Sequence, residues 1–245
     1  MKQTLTVDRG NSMTKIALWQ DDKLCRLLTA TCADEADCVR HIAGEAGRSA
    51  AAIISSVNPH SSPLLEDALR SAAETVVILS AATELPVAIE YASPETLGSD
   101  RIAAAVGARA VAGHGVPVLV ADLGTAATFD LLTADDRYMG GNISAGVGMR
   151  LSALHARSAR LPEVSVEGPV PTWGYDTDTA LRSGALRGVA AELEYYRLQA
   201  PAGSAVVLTG GDAEAVGKLV GFNYIIEKNL VLLGLNRILH HHNEA

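Results

Sequence analysis

Apolar positions along this chain recur with two periods in turn, every second residue and every third or fourth, and the change from one to the other marks out its elements. Strand patterns cover Gln3–Val7, Lys15–Gln20 and Leu24–Thr31. A helix is predicted around Glu35–Gly47, where Val39, Ile42 and Ala46 share one face. Ala52–Val57 reads as a buried strand. Ser62-Pro63 then supplies a cap and first helical position for a helix to about Glu74, and Val76–Leu79 is a further short strand. Ser93-Pro94 opens a second capped helical region that breaks near Gly98 and continues to about Ala112. After Gly113-His114-Gly115 the pattern restarts with strands at Pro117–Asp122, Ala127–Leu132 and Tyr138–Ile143. Helices follow around Val147–Ala159 and Thr177–Arg197. The strand Ala205–Thr209 ends at Gly210-Gly211, and Leu230–His241 is the last helix. Strands and helices that alternate in this way predict α/β layering.

The restart is a repeat. Shifted by 114 residues, Leu5, Asp8, Gly10, Thr14, Leu18, Asp21 and Asp22 fall on Leu119, Asp122, Gly124, Thr128, Leu132, Asp135 and Asp136. Average residue usage would give roughly one identity over such a stretch. Each copy reads strand, Asp-x-Gly turn, strand, acidic hairpin, strand. Duplication explains both the identities and the restart. The expectation is two α/β domains, 1–113 and 114–245, each a mixed sheet flanked by helices.

Composition narrows the function. The 245 residues carry a net charge of −8, which argues against a nucleic acid partner, since that needs a basic stripe. Aromatics are only 4%, so the core is built from Ala, Val, Leu and Ile. Cys25, Cys32 and Cys38 match no zinc spacing and read as reduced thiols. The chain enters a strand at Leu5–Val7 without a signal peptide, and runs such as Val118–Ala121 are too short to span a bilayer. A cytoplasmic protein without a membrane partner is expected.

The chemistry concentrates in the two Asp-x-Gly hairpins. In Asp8-Arg9-Gly10-Asn11-Ser12, Gly10 lets the chain turn and a ligand approach closely. Successive backbone N–H groups with the Asn11 and Ser12 side chains can cradle a phosphate, and Asp8 can hold Mg²⁺ directly or through water. Lys15 either adds charge to the phosphates or projects into solvent. In Asp122-Leu123-Gly124-Thr125, Thr125 offers a hydroxyl and an N–H to a second phosphate, and Asp122 can bind a second cation. One such hairpin is an ordinary turn pattern. Two, facing each other from duplicated domains, form a pair of phosphate clamps. No P-loop competes: the Gly211…Gly217-Lys218 stretch is one residue too long, and Leu219 stands where Ser or Thr is required. Gly210-Gly211-Asp212, between a strand and a helix, reads either as a plain turn or as a floor for adenine or ribose.

In this order and spacing the residues resemble the type III pantothenate kinases, of the acetate-and-sugar-kinase, Hsp70 and actin superfamily, over nearly the whole chain. Asp8-x-Gly10-Asn11-Ser12 is similar to the first phosphate motif, Gly98-Ser99-Asp100-Arg101 to the Gly-x-Asp-Arg motif, and Asp122-x-Gly124-Thr125-Ala126-x-Thr128-x-Asp130 to the second phosphate motif. Gly140-Gly141-x-Ile143 with Gly146 resembles a glycine-rich turn; Leu161-Pro162 and Gly174-x-Asp176-Thr177 with Gly184 resemble later substrate-side motifs. The resemblance implies an actin-like (RNase H-like) fold that binds ATP between its halves and phosphorylates pantothenate, the first step towards coenzyme A. It implies Asp100 as general base, Gly98, Ser99, Arg101, Tyr91 and Thr177 as substrate-side residues, and Asp122 as the holder of a monovalent cation, K⁺ or NH₄⁺. It also implies a homodimer with the pantothenate site near its interface. On the residues alone, Asp100 is a helix N-terminal acid favoured by the dipole, Arg101 a surface ion pair, Tyr91 part of the packing and Thr177 an N-cap.

Three positions depart from the family pattern. Arg9 stands where an aliphatic residue is usual, so its charge must face solvent or pair with an acid. Ser12 replaces Thr and keeps the hydroxyl. Ala145 replaces the Pro before Gly146, which frees that turn. His240-His241-His242 read as cations at a frayed helix end or as a metal site. Two other readings stay open: a non-catalytic nucleotide-sensing regulator of the same fold, and a kinase or phosphohydrolase of the superfamily with another substrate.

Overall fold

The computed structural model describes residues 3–10, 13–31, 33–56 and 63–244. They divide into two compact units, 1–110 with 229–245, and 111–228. In the first unit, β1 (Gln3–Arg9), β2 (Thr14–Gln20) and β3 (Lys23–Ala30) form an antiparallel meander. α1 (Glu35–Ala46) leads to β4 (Ser49–Ser56), which pairs parallel with β1, and α2 (Pro63–Ala72) leads to β5 (Ala73–Ile78), parallel with β4. The sheet order is β3-β2-β1-β4-β5. The chain then passes through the two-residue β6 (Ala88–Ile89) and a 3₁₀ turn at Pro94–Thr96 into α3 (Ser99–Ala112).

Alternation along each strand assigns the two faces. Leu5, Val7, Ile16, Leu18, Ala52 and Ile54 point one way and pack against Val39 and Ile42 of α1 and Leu65 and Leu69 of α2. Thr4, Thr6 and Asp8 point the other way. There the last helix, α7 (Leu230–Glu244), lies on β1 and β4 and is fastened by buried Asn236, which accepts from Thr4 Oγ1 at 2.6 Å and donates to the Asp21 carbonyl at 2.9 Å. α3 packs on α7 with the backbones in contact, since a Cβ on Gly107 or Gly234 would run into the facing main chain. The sequence pattern groups this last helix with the second half of the chain; in three dimensions it completes the first sheet. Its histidines stay helical, with His240 near Asp22, and no cluster of three metal-ligating side chains occurs among the described residues.

The second unit repeats the plan. β7 (Val118–Leu123), β8 (Ala126–Leu132) and β9 (Arg137–Ala145) form a meander, β10 (Ala205–Thr209) runs parallel with β7, and β11 (Ile225–Ile226) parallel with β10. Reading β9-β8-β7-β10-β11 gives the same order and the same strand senses as the first sheet. α4 (Val147–Arg157), α5 (Thr177–Gln199) and α6 (Ala213–Gly217) cover one face, with Leu119, Leu123, Phe129, Val147, Leu186, Leu193 and Leu208 in the core. Topology therefore carries the duplication further than the identities do. The registers show which identities count. Asp8 pairs with Lys15 but Asp122 with Thr128, because the first turn is one residue longer. Leu5, Asp8 and Gly10 thus match Leu119, Asp122 and Gly124 in space, whereas the Thr14–Thr128 and Leu18–Leu132 identities are one ladder position out of step. No helix among the described residues is long and apolar enough to cross a membrane.

Candidate active site

In the first unit, four segments place polar groups at the carboxyl ends of β1 and β4. Asp8 is half-buried near the end of β1. Lys15 of β2 and Ser55 of β4 are its ladder partners on either side, so all three share one face. The turn closes when the Gly10 amide donates to the Met13 carbonyl at 3.1 Å. Asn11 and Ser12, the expected phosphate ligands, lie outside the described residues. Fully buried Ser55 links this strand end to the next segment: its Oγ is 2.8 Å from Ser99 Oγ at the start of α3. Ser99 opens the helix, and Asp100 follows in its first turn, accepting from the Arg101 amide at 2.8 Å. Gly98 makes room for the Asp100 carboxylate, since a Cβ there would collide with Oδ1. Arg101 is buried, not on the surface, and its guanidinium lies 5.9 Å from the centroid of half-buried Tyr91. Asp8, Gly10, Lys15, Tyr91, Gly98, Ser99, Asp100 and Arg101 thus gather on connected elements of one unit.

Arg9 turns the opposite way from Asp8, and its charge is met by an acid. Its Nε lies 3.1 Å from Glu35 Oε2, which also accepts from Thr14 Oγ1 at 2.8 Å. The expectation that Arg9 either faces solvent or pairs is resolved as a buried pair with the first residue of α1, where a carboxylate also faces the favourable end of the helix dipole.

In the second unit, half-buried Asp122 occupies the position equivalent to Asp8 and is opposed in the ladder by Thr209, as Asp8 is by Ser55. The turn has the same closure, with the Gly124 amide donating to the Ala126 carbonyl at 3.1 Å. Gly210, at φ +89°, lies against this strand end, and a Cβ there would stand 2.6 Å from Asp122 Oδ1 and closer still to the Leu123 main chain. Gly146 lies against the turn itself, its amide donating to the Thr125 carbonyl at 3.2 Å. The Ala145 turn is held by Arg150, which donates to the Ala145 carbonyl at 2.8 Å and pairs with Glu192 at 2.6 Å. Asp212 donates its amide to the Leu123 carbonyl at 3.0 Å, and burial pushes its carboxyl above the usual range. Tyr138 donates to buried Asp130 at 2.6 Å, which accounts for the last acid of that motif.

Thr177 is not the cap of α5. That role falls to Asp176, which accepts from the Thr179 amide at 2.8 Å and from its hydroxyl at 2.7 Å, while Thr177 is the exposed first helical residue. It stands at the end of a long irregular segment, 158–176, fastened by Arg182 to the Ser165 carbonyl and by Arg187 to those of Val170 and Pro171. Ser55 and Thr209 carry no motif and were not legible in the sequence. The only signal that finds them is the parallel ladder that sets each beside an aspartate.

The type III pantothenate kinase family model matches residues 4–198. The chain belongs to that family. Curated type III pantothenate kinases of Porphyromonas gingivalis and Phocaeicola vulgatus are 35% and 36% identical to it, covering 98% of this chain and 98% and 99% of theirs. Among solved structures, a protein assigned to the Baf family of transcriptional activators from Campylobacter jejuni superposes with a TM-score of 0.67 at 20% identity, covering 98% of this chain and 100% of its own. A glucokinase from an Antarctic psychrotroph superposes with a TM-score of 0.51 at 13% identity, covering 98% and 99%. At such identities these structures bear on fold alone, and the fold of this type III pantothenate kinase family member is the actin-like one, with two duplicated units of mixed sheet and flanking helices.

Proposed function

We propose that Asp100 is the general base and that the two Asp-x-Gly hairpins are the phosphate clamps of the kinase reaction. The chain phosphorylates pantothenate with ATP, the first step towards coenzyme A, as its family and near full-length relatives do. The observation that carries the assignment is the Ser55–Ser99 hydrogen bond at 2.8 Å. It ties the helix start bearing Asp100 to the strand end beside Asp8, so that the base and a phosphate loop are held on one framework. In the reaction, Asp100 takes the proton of the pantothenate hydroxyl as its oxygen bonds to the γ-phosphorus, and the bond from that phosphorus to the ADP oxygen breaks.

A kinase of this family works on ATP with a divalent metal. The half-buried Asp8 carboxylate suits Mg²⁺, directly or through water, and Gly10, Asn11, Ser12 and Lys15 are the residues assigned to the phosphates on this side. When bound, Mg²⁺ neutralises phosphate charge. On the second hairpin, Gly124 and Thr125 receive another phosphate, and Asp122, backed by Gly124 and Gly210, suits a monovalent cation, K⁺ or NH₄⁺. Buried Arg101, beside Tyr91, binds the pantothenate carboxylate or the moving phosphate, with Gly98 and Ser99 as neighbouring substrate-side residues. Thr177 completes the substrate side in a homodimer, and the protein works in the cytoplasm.

The test is phosphorylation of pantothenate by purified protein with Mg²⁺-ATP in potassium and in sodium buffer. Product mainly in potassium supports both kinase and cation assignments. Equal product in both removes the cation role of Asp122. No product from folded protein that binds ATP moves the reading to a regulator or to another substrate.

A further inference from the structure

We propose that Glu35 is a positioning residue for the first phosphate loop, acting through Arg9 and Thr14. This rests on the reading of the first hairpin as an ATP phosphate site. Arg9 and Thr14 are the last ladder pair before the turn, directly beside Gly10 and Met13, whose amide and carbonyl close it. A single oxygen, Glu35 Oε2, accepts from both, from Arg9 Nε at 3.1 Å and from Thr14 Oγ1 at 2.8 Å. The side chains of Arg9 and Glu35 are 8% and 1% exposed, and Thr14 is fully buried. Water therefore screens the contact little, and its geometry is directional.

The second hairpin, one residue shorter, closes with the corresponding glycine amide bond and has no charged stem. Its stem pair is Leu123 with Ala127, both buried and apolar. A buried ion pair is a poor substitute for apolar packing as a source of stability. Glu35 Oε1 is also buried without a hydrogen-bond partner among the described residues, which adds to the cost. What the pair supplies is orientation. Asp8 and Gly10 flank Arg9 in the chain, so a rotation of the Arg9 backbone re-aims the carboxylate on one side and the loop amide on the other. α1 thereby sets the aim of the phosphate loop through one carboxylate.

The experiment compares Glu35→Gln, Thr14→Val and Arg9→Lys in the full chain. Steady-state rates are measured with ATP and pantothenate varied separately, ATP affinity by calorimetry, and thermal midpoints on the same samples. Glu35→Gln should raise the KM and Kd for ATP roughly tenfold, with kcat and the pantothenate KM within about twofold of wild type. Arg9→Lys and Thr14→Val should move the same two ATP parameters in the same direction by less. A folded Glu35→Gln protein with an unchanged ATP KM, or one in which both substrates' KM values rise together, overturns the proposal. Should Glu35→Gln fail to fold, the triple change Arg9→Leu, Thr14→Ala, Glu35→Leu installs an apolar stem like that of the second hairpin. A folded triple variant with the wild-type ATP KM overturns the proposal equally, and a raised one supports it. A wild-type chain that neither binds ATP nor phosphorylates pantothenate overturns the phosphate-site reading itself, and the proposal with it.

Discussion

The two Asp-x-Gly hairpins share a strand order, a closing hydrogen bond and an aspartate opposed by a buried hydroxyl, yet they are supported in different ways. The first is anchored by charge: Arg9, Thr14 and Glu35 bind its stem, and Ser55 and Ser99 connect it to Asp100. The second is anchored by close main-chain contact: Leu123 and Ala127 fill its stem, and Gly146 and Gly210 press against the turn where no side chain fits. Duplication preserved the scaffold while the surroundings diverged. A polar framework can orient a base, and a glycine-lined one brings backbone amides and a carboxylate close to a ligand. With both hairpins read as phosphate clamps, the first also shares a framework with the proposed base, Asp100, and the second sets its aspartate, the proposed cation holder, against glycine backbone.

The largest expected effects lie on the first side. Asp100→Asn should lower kcat by roughly 10² to 10⁴, the usual range for a lost general base, with ATP affinity by calorimetry within about twofold. Normal turnover in that folded variant would remove the chemical step from the first hairpin's framework. Asp122→Asn should act differently. Its turnover in potassium should fall to the level seen in sodium, so that the ratio of the two rates approaches about one, while a kcat effect as large as that of Asp100→Asn is not expected. Equal damage to kcat from both substitutions would erase the contrast between the hairpins.

Much of this was readable in the sequence because the relevant physics is local. Helix and strand periods placed nearly every element, and the break near Gly98 appears as the gap between the 3₁₀ turn and α3. Asp8 stood out because turn chemistry constrains neighbouring residues, whereas Gly98 and Asp100 stood out through the family resemblance, since on the residues alone Asp100 reads as an ordinary helix N-terminal acid. What was hidden depends on pairing between distant segments. Nothing near Ser55 or Thr209 marks them, since each becomes significant only beside an aspartate 47 or 87 positions away in the chain. Glu35 looked like one more acid in a helix's first turn until the fold brought Arg9 and Thr14 onto it. The identities beyond the turn misled for a related reason: one inserted residue preserves a sequence match while shifting every later side chain to the other face. The last helix could not be assigned from its own pattern, because an apolar stripe does not say which sheet it covers.

A backbone test separates the two modes of support. Gly210→Ala places a methyl at a position with φ +89° and against the Leu123 main chain, so the strand end must move. It should destabilise the protein by about 1–3 kcal/mol and raise the KM for ATP, measured by thermal melting and kinetics. Among the described residues, a Cβ at Gly10 meets the Met13 carbonyl alone, at 3.1 Å, so Gly10→Ala should cost less than about 1 kcal/mol. If Gly10→Ala proves the more damaging to stability, the first hairpin is as dependent on close contact as the second, and the contrast in their support fails.

The smallest effect concerns the entrance to α5, which leads from the irregular segment 158–176 into the second unit's core. Hydrogen bonds from the Thr179 side chain, then from its amide, hold the Asp176 carboxyl below the usual range. A carboxyl lowered in the folded state contributes stability above its unfolded pKa, roughly 4, and loses that contribution as pH falls through the folded value. Asp176→Ala should therefore lower the thermal midpoint at pH 7 by about 2–4 °C. The gap from wild type should narrow as the pH is taken below about 4. Because the cap is local, the kinetic constants for ATP should stay within about twofold, and any change should fall on the pantothenate KM through neighbouring Thr177. A rise in the ATP KM instead would mean that the start of α5 is coupled to the second hairpin. That would make the glycine-lined clamp dependent on a side-chain hydrogen bond after all.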